Sequence, residues 1–286
     1  MSEFFADAEE SFTDSRFVYY GNPFDGTTCF RKGTSQAPDE IRKSSYNFET
    51  YLMELGIDLS EVKANDWGNL DLTDNQETNE KALYDLVSKI VNSNKFPVGL
   101  GGEHSLTPSA VKALHEKYPT LAVVILDAHL DFRKEYEGNP LSHATVTRRV
   151  SEIVGINNVR PIGIRSVSQS EITEARAIGL KFIETGWTEV REYLSDAIED
   201  LEGPVYLSLD MDAIDPGFAP GVGTPEPFGM TPYEVLQTIN FFADRIVGFD
   251  CVEVCPPHDN GNTSALAARL IRHLVGAVWQ SQERFK

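Results

Sequence analysis

Several stretches of this chain are apolar at every position, and a β-strand can be written that way only where helices cover both of its faces. Leu121-Ala122-Val123-Val124-Ile125-Leu126 is the plainest of them. Similar short runs predict strands at Phe17–Tyr20, Phe96–Leu100, Val159–Ile164, Lys181–Ile183, Val205–Leu209 and Ile246–Val252. Between them the apolar spacing becomes helical. Leu83, Leu86, Val87, Ile90 and Val91 form one stripe; Leu266, Leu270, Ile271, Leu274, Val275 and Val278 form another. Thr231-Pro232 reads as an N-cap with proline at the first helical position. This alternation predicts an α/β fold with a doubly wound, mostly parallel sheet. Ligands of such sheets sit beyond the carboxyl ends of the strands, so the residues just after each strand run matter most.

The chain has 286 residues, and no linker-like stretch or break in composition divides it, so one domain over residues 1–286 is expected. No apolar run approaches the roughly 20 residues of a membrane span. Met1 to Glu10 holds four acidic residues and no basic one, unlike a secretion signal. A net charge of −19 disfavours nucleic acid or an anionic membrane as a partner. It would mildly attract a cationic substrate, and it serves solubility equally well. Of three cysteines, Cys29, Cys251 and Cys255, the last two lie in an apolar strand-like run where small buried thiols are the rule. A reducing, cytoplasmic setting is expected.

Three motifs follow three of the strands. Gly101-Gly102-Glu103-His104-Ser105 comes after Phe96–Leu100, and Asp127-Ala128-His129-Leu130-Asp131 after Leu121–Leu126. Asp210-Met211-Asp212, with Ala213-Ile214-Asp215-Pro216, closes Val205–Leu209. Alternate residues of an extended segment share a face, so Asp127, His129 and Asp131 converge if the strand continues straight into its loop, and Asp210 and Asp212 do likewise. His104 arrives from a neighbouring loop that two glycines leave free to bend. Alone, an Asp-x-His or Asp-x-Asp mostly marks a turn. Three such motifs, each at a strand end, point instead to one crevice holding four carboxylates and two imidazoles. Four carboxylates repel unless cations lie between them. Two divalent ions bring four positive charges. Oxygen-rich donors with some imidazole and no cysteine suit Mn²⁺ better than Zn²⁺. A pair of such ions fits a hydrolase that holds a hydroxide between them. Magnesium-dependent phosphoryl transfer usually brings a glycine-rich phosphate loop with lysine, and none is present.

These motifs resemble the three signatures of the ureohydrolase (arginase/agmatinase) family. The likeness continues through Phe218-Ala219-Pro220-Gly221-Val222-Gly223-Thr224-Pro225 and Val252-Glu253-Val254, and covers roughly residues 17–280. It implies a three-layer α/β/α fold with a mostly parallel sheet of about eight strands, and a binuclear manganese cluster with two Mn²⁺ per subunit. Matched motif by motif, one ion would be held by His104, Asp127, Asp131 and Asp210. The other would be held by Asp127, His129, Asp210 and Asp212, with Asp127 and Asp210 bridging. His143 resembles the family's proton-shuttling histidine, Glu253 the carboxylate that grips the guanidinium, and Thr224 the residue that supports that carboxylate. Asp212 would hydrogen-bond the hydroxide or the tetrahedral intermediate. The family also implies a trimer or hexamer.

The implied reaction is hydrolysis of a small cationic guanidino substrate to urea and an amine by a metal-bridging hydroxide. Gly163-Ile164-Arg165-Ser166 and Pro23-Phe24-Asp25…Gly33…Ile41-Arg42 look like the agmatinase branch, which converts agmatine to putrescine and urea. Arg133 stands where arginases typically carry asparagine; it also occurs in formiminoglutamase-like members, and a paired structural arginine is the plainer reading. Aminopropylagmatine, guanidinobutyrate and arginine remain alternative substrates. A catalytically silent metal-binding regulatory homologue, or a deacetylase-like enzyme with one Zn²⁺, would be the rivals from other classes.

Overall fold

The chain is described by a computed structural model over residues 4–185, 194 and 201–283. The ends of the expected 1–286 domain, and residues 186–193 and 195–200, lie outside the described residues.

The strands are β1 (Phe17–Gly21), β2 (Tyr51–Leu52), β3 (Ile57–Asp58), β4 (Ala64–Asn69), β5 (Phe96–Leu100), β6 (Ala122–Leu126), β7 (Val159–Ile164), β8 (Ile183–Glu184), β9 (Val205–Asp210) and β10 (Ile246–Val252). Among the described residues the longer helices are α1 (Ala37–Ser45), α2 (Gln76–Asn92), α3 (Thr107–Lys117), α4 (Val146–Val154), α5 (Gln169–Ala177), α6 (Pro232–Phe242) and α7 (Asn262–Glu283). Eight strands form one sheet in the order β4-β1-β5-β10-β9-β6-β7-β8, and all seven neighbouring pairs are parallel. β2 and β3 make a separate antiparallel pair.

Both faces of the sheet are buried, as the uniformly apolar runs require. Val123 and Ile125 pack with Leu83, Leu86, Val87 and Ile90 of α2 and with residues of α3 and α4. Ala122, Val124 and Leu126 face the opposite core, with Ile41 of α1, Ile239 of α6 and Ile271 of α7. The result is the three-layer α/β/α architecture. Helix α6 begins at the expected place: Thr231 caps it, Pro232 opens it, and Glu234 closes a capping box. No described helix is long and apolar enough to cross a membrane.

The chain passes from β5 to β6 across a gap that β9 and β10 later fill. β10 beside β5 and β9 beside β6 are therefore neighbours in space that lie far apart in sequence. The ends of these four strands are also level: Leu100 pairs with Cys251, Cys251 with Leu209, and Leu209 with Leu126. The next residues along these strands begin the three motifs and lead to Glu253.

Candidate metal centre

Eight of the nine candidate residues, His104, His129, Asp131, His143, Asp210, Asp212, Thr224 and Glu253, line one cavity of about 330 Å³. The ninth, Asp127, is buried. The motifs turn as they leave the sheet. Asp127 Oδ1 accepts the amide of His129 at 2.7 Å, and Asp210 Oδ1 accepts that of Asp212 at 2.8 Å. Met211–Ala213 is a 3₁₀ turn capped by Asp210. The paired ligand types thus converge through Asx turns, whereas an extended strand was expected. Ala128 N donates to Asp212 Oδ1 at 3.1 Å, tying the β6 and β9 loops together.

Two tight donor groups result: His104, Asp127 and Asp210 form one, and Asp127, His129 and Asp212 the other, with Asp127 common to both. Asp131 lines the same cavity but stands outside both groups. His104 Nδ1 lies 3.2 Å from both Asp127 Oδ2 and Asp210 Oδ2, and His129 Nδ1 lies 3.0 Å from Asp212 Oδ2. Yet the buried atoms His104 Nδ1 and Asp127 Oδ2 make no hydrogen bond. Both belong to the set of ligand atoms that lie within 4.8 Å of one another. That orphaning, in a set of carboxylates and imidazoles, fits divalent cations.

Electrostatics point the same way. Burial works against charge on His104, but the facing Asp127 and Asp210 carboxylates raise its pKa well above the usual value. Burial likewise opposes charge on His129, and Asp212 and Asp127 outweigh it. Asp210 is pushed well up by burial and by Asp212 and Asp127, and Asp131 by burial and Asp127. Left to themselves, these groups must share protons; two divalent ions remove the repulsion.

The backbone of the site is specialised. Asp131 (φ 48°) and Glu253 (φ 64°) both occupy the left-handed region, which a non-glycine residue adopts at a cost. Gly102 is required by close approach: a Cβ there would lie 2.2 Å from the Phe24 carbonyl oxygen and 2.5 Å from that of Asn22. The expected reason, freedom to bend, is replaced by crowding. Glu253 Oε1 accepts the amide of His104 at 2.8 Å. Its pKa is pushed up to about 8 by burial and by neighbouring Glu103. Thr224 Oγ1 donates to Asp212 Oδ2 at 3.2 Å, so its hydroxyl supports a carboxylate of the second donor group, where support of Glu253 was expected. Arg133 is paired, with Nε 3.7 Å from Glu171 Oε2, and its guanidinium lies over the Tyr136 ring.

A supporting layer was not foreseen from the sequence. Ser208 Oγ donates to Asp250 Oδ1 at 2.6 Å and faces His104 Nε2 at 3.0 Å. Tyr206 and Thr107 each donate to Asp250 Oδ2 at 2.7 Å. Since Ser208 spends its proton on Asp250, His104 Nε2 is the donor to Ser208, and in the neutral ring Nδ1 keeps the lone pair. Arg165 donates to the carbonyls of Asp212 (2.6 Å) and Glu226 (2.8 Å), fixing the β9 loop against the segment that carries Thr224. His143 is held by Thr27, whose Oγ1 lies 3.0 Å from its Nδ1 and accepts its backbone amide at 3.0 Å. Burial lowers the His143 pKa, against the opposing pull of Glu103.

The model of the Arginase family matches residues 15–276. An agmatinase of Bacillus anthracis is 39% identical over 277 residues, covering 95% of this chain and 94% of that protein. The N(1)-aminopropylagmatine ureohydrolase of Thermococcus kodakarensis is 36% identical over 273 residues, covering 92% and 91%. The crystal structure of agmatine ureohydrolase of Thermoplasma volcanium aligns with a TM-score of 0.94 at 38% identity, covering 99% of this chain and 97% of that one. With matched sequence over nearly its whole length and the same arrangement of strands, this chain belongs to the arginase family.

Proposed function

We propose that the chain is a ureohydrolase that releases urea from agmatine, using two Mn²⁺ held by His104, Asp127, Asp131, Asp210, Asp212 and His129. The observation that carries this reading is the pair of donor groups sharing Asp127, set in a cavity that also holds Glu253 and His143. The names of similar proteins support agmatine, and the Thermococcus kodakarensis relative makes aminopropylagmatine the second substrate to test.

A guanidinium is resonance-stabilised and a poor electrophile. When bound, two divalent cations supply four positive charges and acidify water, so that a nucleophile exists near neutral pH. Glu253 receives the guanidinium through paired N–H donors, its backbone twist and the His104 amide fixing one carboxylate oxygen. Asp212, braced by Thr224, accepts a hydrogen bond from the attacking water and then from the tetrahedral centre. The balanced reaction is guanidinium plus water giving urea plus an alkylammonium, so both water protons finish on the leaving nitrogen. His143 carries one of them.

The same reading includes one domain over residues 1–286, a trimer or hexamer and a cytoplasmic setting. Light scattering would test the assembly. The direct test is urea release with Mn²⁺ on a panel of agmatine, arginine, aminopropylagmatine, guanidinobutyrate and formiminoglutamate. Agmatine should give the highest kcat/KM. No urea from any guanidino compound in a protein that binds two metals would overturn the reading and favour a silent regulatory homologue.

A further inference from the structure

Glu103 is fully buried, is not among the residues that converge on the metal centre, and sits at the meeting point of two loops. Its Oε2 accepts the Thr27 amide at 2.8 Å and the Thr28 hydroxyl at 3.2 Å. Its Oε1 accepts the Thr27 hydroxyl at 2.6 Å and that of Ser105 at 2.5 Å. Four donors converge on two acceptor oxygens, so the single proton of the Thr27 hydroxyl is committed to Glu103. What remains on Thr27 Oγ1 is acceptor capacity, and it meets two groups of one residue: the amide of His143 and its Nδ1, each at 3.0 Å. An oxygen that has given its proton away can face Nδ1 only if the ring supplies one.

We infer that Glu103 and Thr27 are positioning residues that set the tautomer of His143, keeping the proton on Nδ1 and the lone pair on Nε2. This rests on the ureohydrolase reading only for its catalytic consequence. A shuttle must present a basic nitrogen to the reacting centre in its neutral form. Nδ1 is turned into the wall of Thr27 and Ser142, the latter 3.3 Å away, which leaves Nε2 for the cavity that His143 lines. When Nε2 takes up a proton from the attacking water, Nδ1–H still donates to Thr27, and nothing in the relay rearranges. When Nε2 passes that proton to the leaving nitrogen, the starting tautomer is restored. The Tyr136 ring, edge-on to the His143 ring at 5.8 Å, limits tilting of the imidazole.

The test compares Thr27→Val, which keeps the shape and removes the hydroxyl, with Thr27→Ser, which restores it. Metal content is measured in every sample. In the Mn²⁺-loaded protein, Thr27→Val should lower kcat about 10- to 100-fold with KM and metal content close to wild type, the range expected for partial loss of acid–base catalysis. Thr27→Ser should recover most of the turnover. Nitrogen NMR of the ¹⁵N-labelled full chain without paramagnetic Mn²⁺ should show His143 protonated at Nδ1 in the wild type and mixed in Thr27→Val. A proton on Nε2 in the wild type, an unchanged kcat in Thr27→Val, or a Thr27→Ser variant no better than Thr27→Val would each overturn the inference. Failure of the functional reading looks different: the wild type itself would release no urea, while the spectrum would still decide the tautomer.

Discussion

At the scale of single residues, Asp127 and Asp210 each do two things: they belong to the donor groups, and each accepts the backbone amide two residues on. In both places the first aspartate folds the turn that presents the second ligand, His129 or Asp212. Asp212→Ala removes a donor of the second group and the acceptor of both the Ala128 amide and the Thr224 hydroxyl. Loss of a hydrogen-bonded metal ligand should lower both bound Mn²⁺ and urea release, roughly 100-fold or more in activity. Full metal content and activity in that variant would exclude Asp212 from the centre. His143→Ala should separate the two readouts: turnover falls about 100-fold while metal stays bound. In the sequence, Thr27 and Glu103 carry no signal comparable to that two-residue spacing. They lie 76 positions apart, and Thr27 lies 116 from His143, so their relation exists only once the loops after β1, β5 and β6 meet. Thr224 shows the complementary limit, since its place in a motif was readable but the oxygen its hydroxyl selects was not.

At the scale of elements, what was legible follows from burial. Strands covered on both faces are apolar throughout, and β5, β7 and β10 begin and end where the runs do. The sheet edges broke the rule. β4 reads Ala64-Asn65-Asp66-Trp67-Gly68-Asn69; β1 is the one strand of the sheet beside it, with only an isolated bridge from Glu9 on its other side, its face is partly solvated, and Asp66 serves to bind Arg42, so no apolar run marks it. At the other edge β8 lies at Ile183–Glu184, shifted from the expected Lys181–Ile183. Helix α6 offers a clean test of its start signal. Thr231 Oγ1 receives the Glu234 amide and Glu234 Oε2 receives the Thr231 amide, so Thr231→Ala should cost about 1 kcal/mol, seen as a drop in Tm. An unchanged Tm would show that packing of Val235, Ile239 and Phe242 alone sets the helix start. Helix α2 carries a pH-dependent element. Burial, then Glu77, raises the Glu80 pKa to about 7, with Lys112 opposing. A carboxyl whose folded pKa exceeds its unfolded value stabilises the fold most while protonated, so its contribution is lost as pH rises from the ordinary glutamate range through about 7. Glu80→Gln should therefore raise Tm at pH 8 relative to wild type and change it little at pH 5. Equal effects at both pH values would place the penalty elsewhere.

At the scale of the whole molecule, the centre joins parts of the chain that the fold has brought from far apart. His104 follows β5, Asp127, His129 and Asp131 follow β6, Asp210 and Asp212 end β9, and Glu253 follows β10. The middle of the sheet is completed only when the last two strands fill the gap left between the earlier ones. Asp127, Asp210 and Asp212, buried and mutually repelling, then lie at that seam. Without cations they oppose the closure that places them there; with cations they favour it. Metal binding and global stability must therefore be linked, because the unfolded chain leaves these ligands apart. For a ligand that binds only the folded state, stabilisation grows as RT ln(1 + [L]/Kd), about 2.7 kcal/mol at 100 times Kd. Tm should accordingly rise with the logarithm of Mn²⁺ concentration and fall back on chelation. Asp210→Ala should flatten that dependence, since Asp210 belongs to the first donor group and caps the turn that carries Asp212 of the second. The variant relieves repulsion among buried acids but leaves the Asp212 amide without its cap, so with chelator present its Tm should lie much nearer the wild type than it does with Mn²⁺. A wild-type Tm indifferent to Mn²⁺ would break the link between the strand ends and the ions, and with it the metal assignment on which the catalytic reading stands.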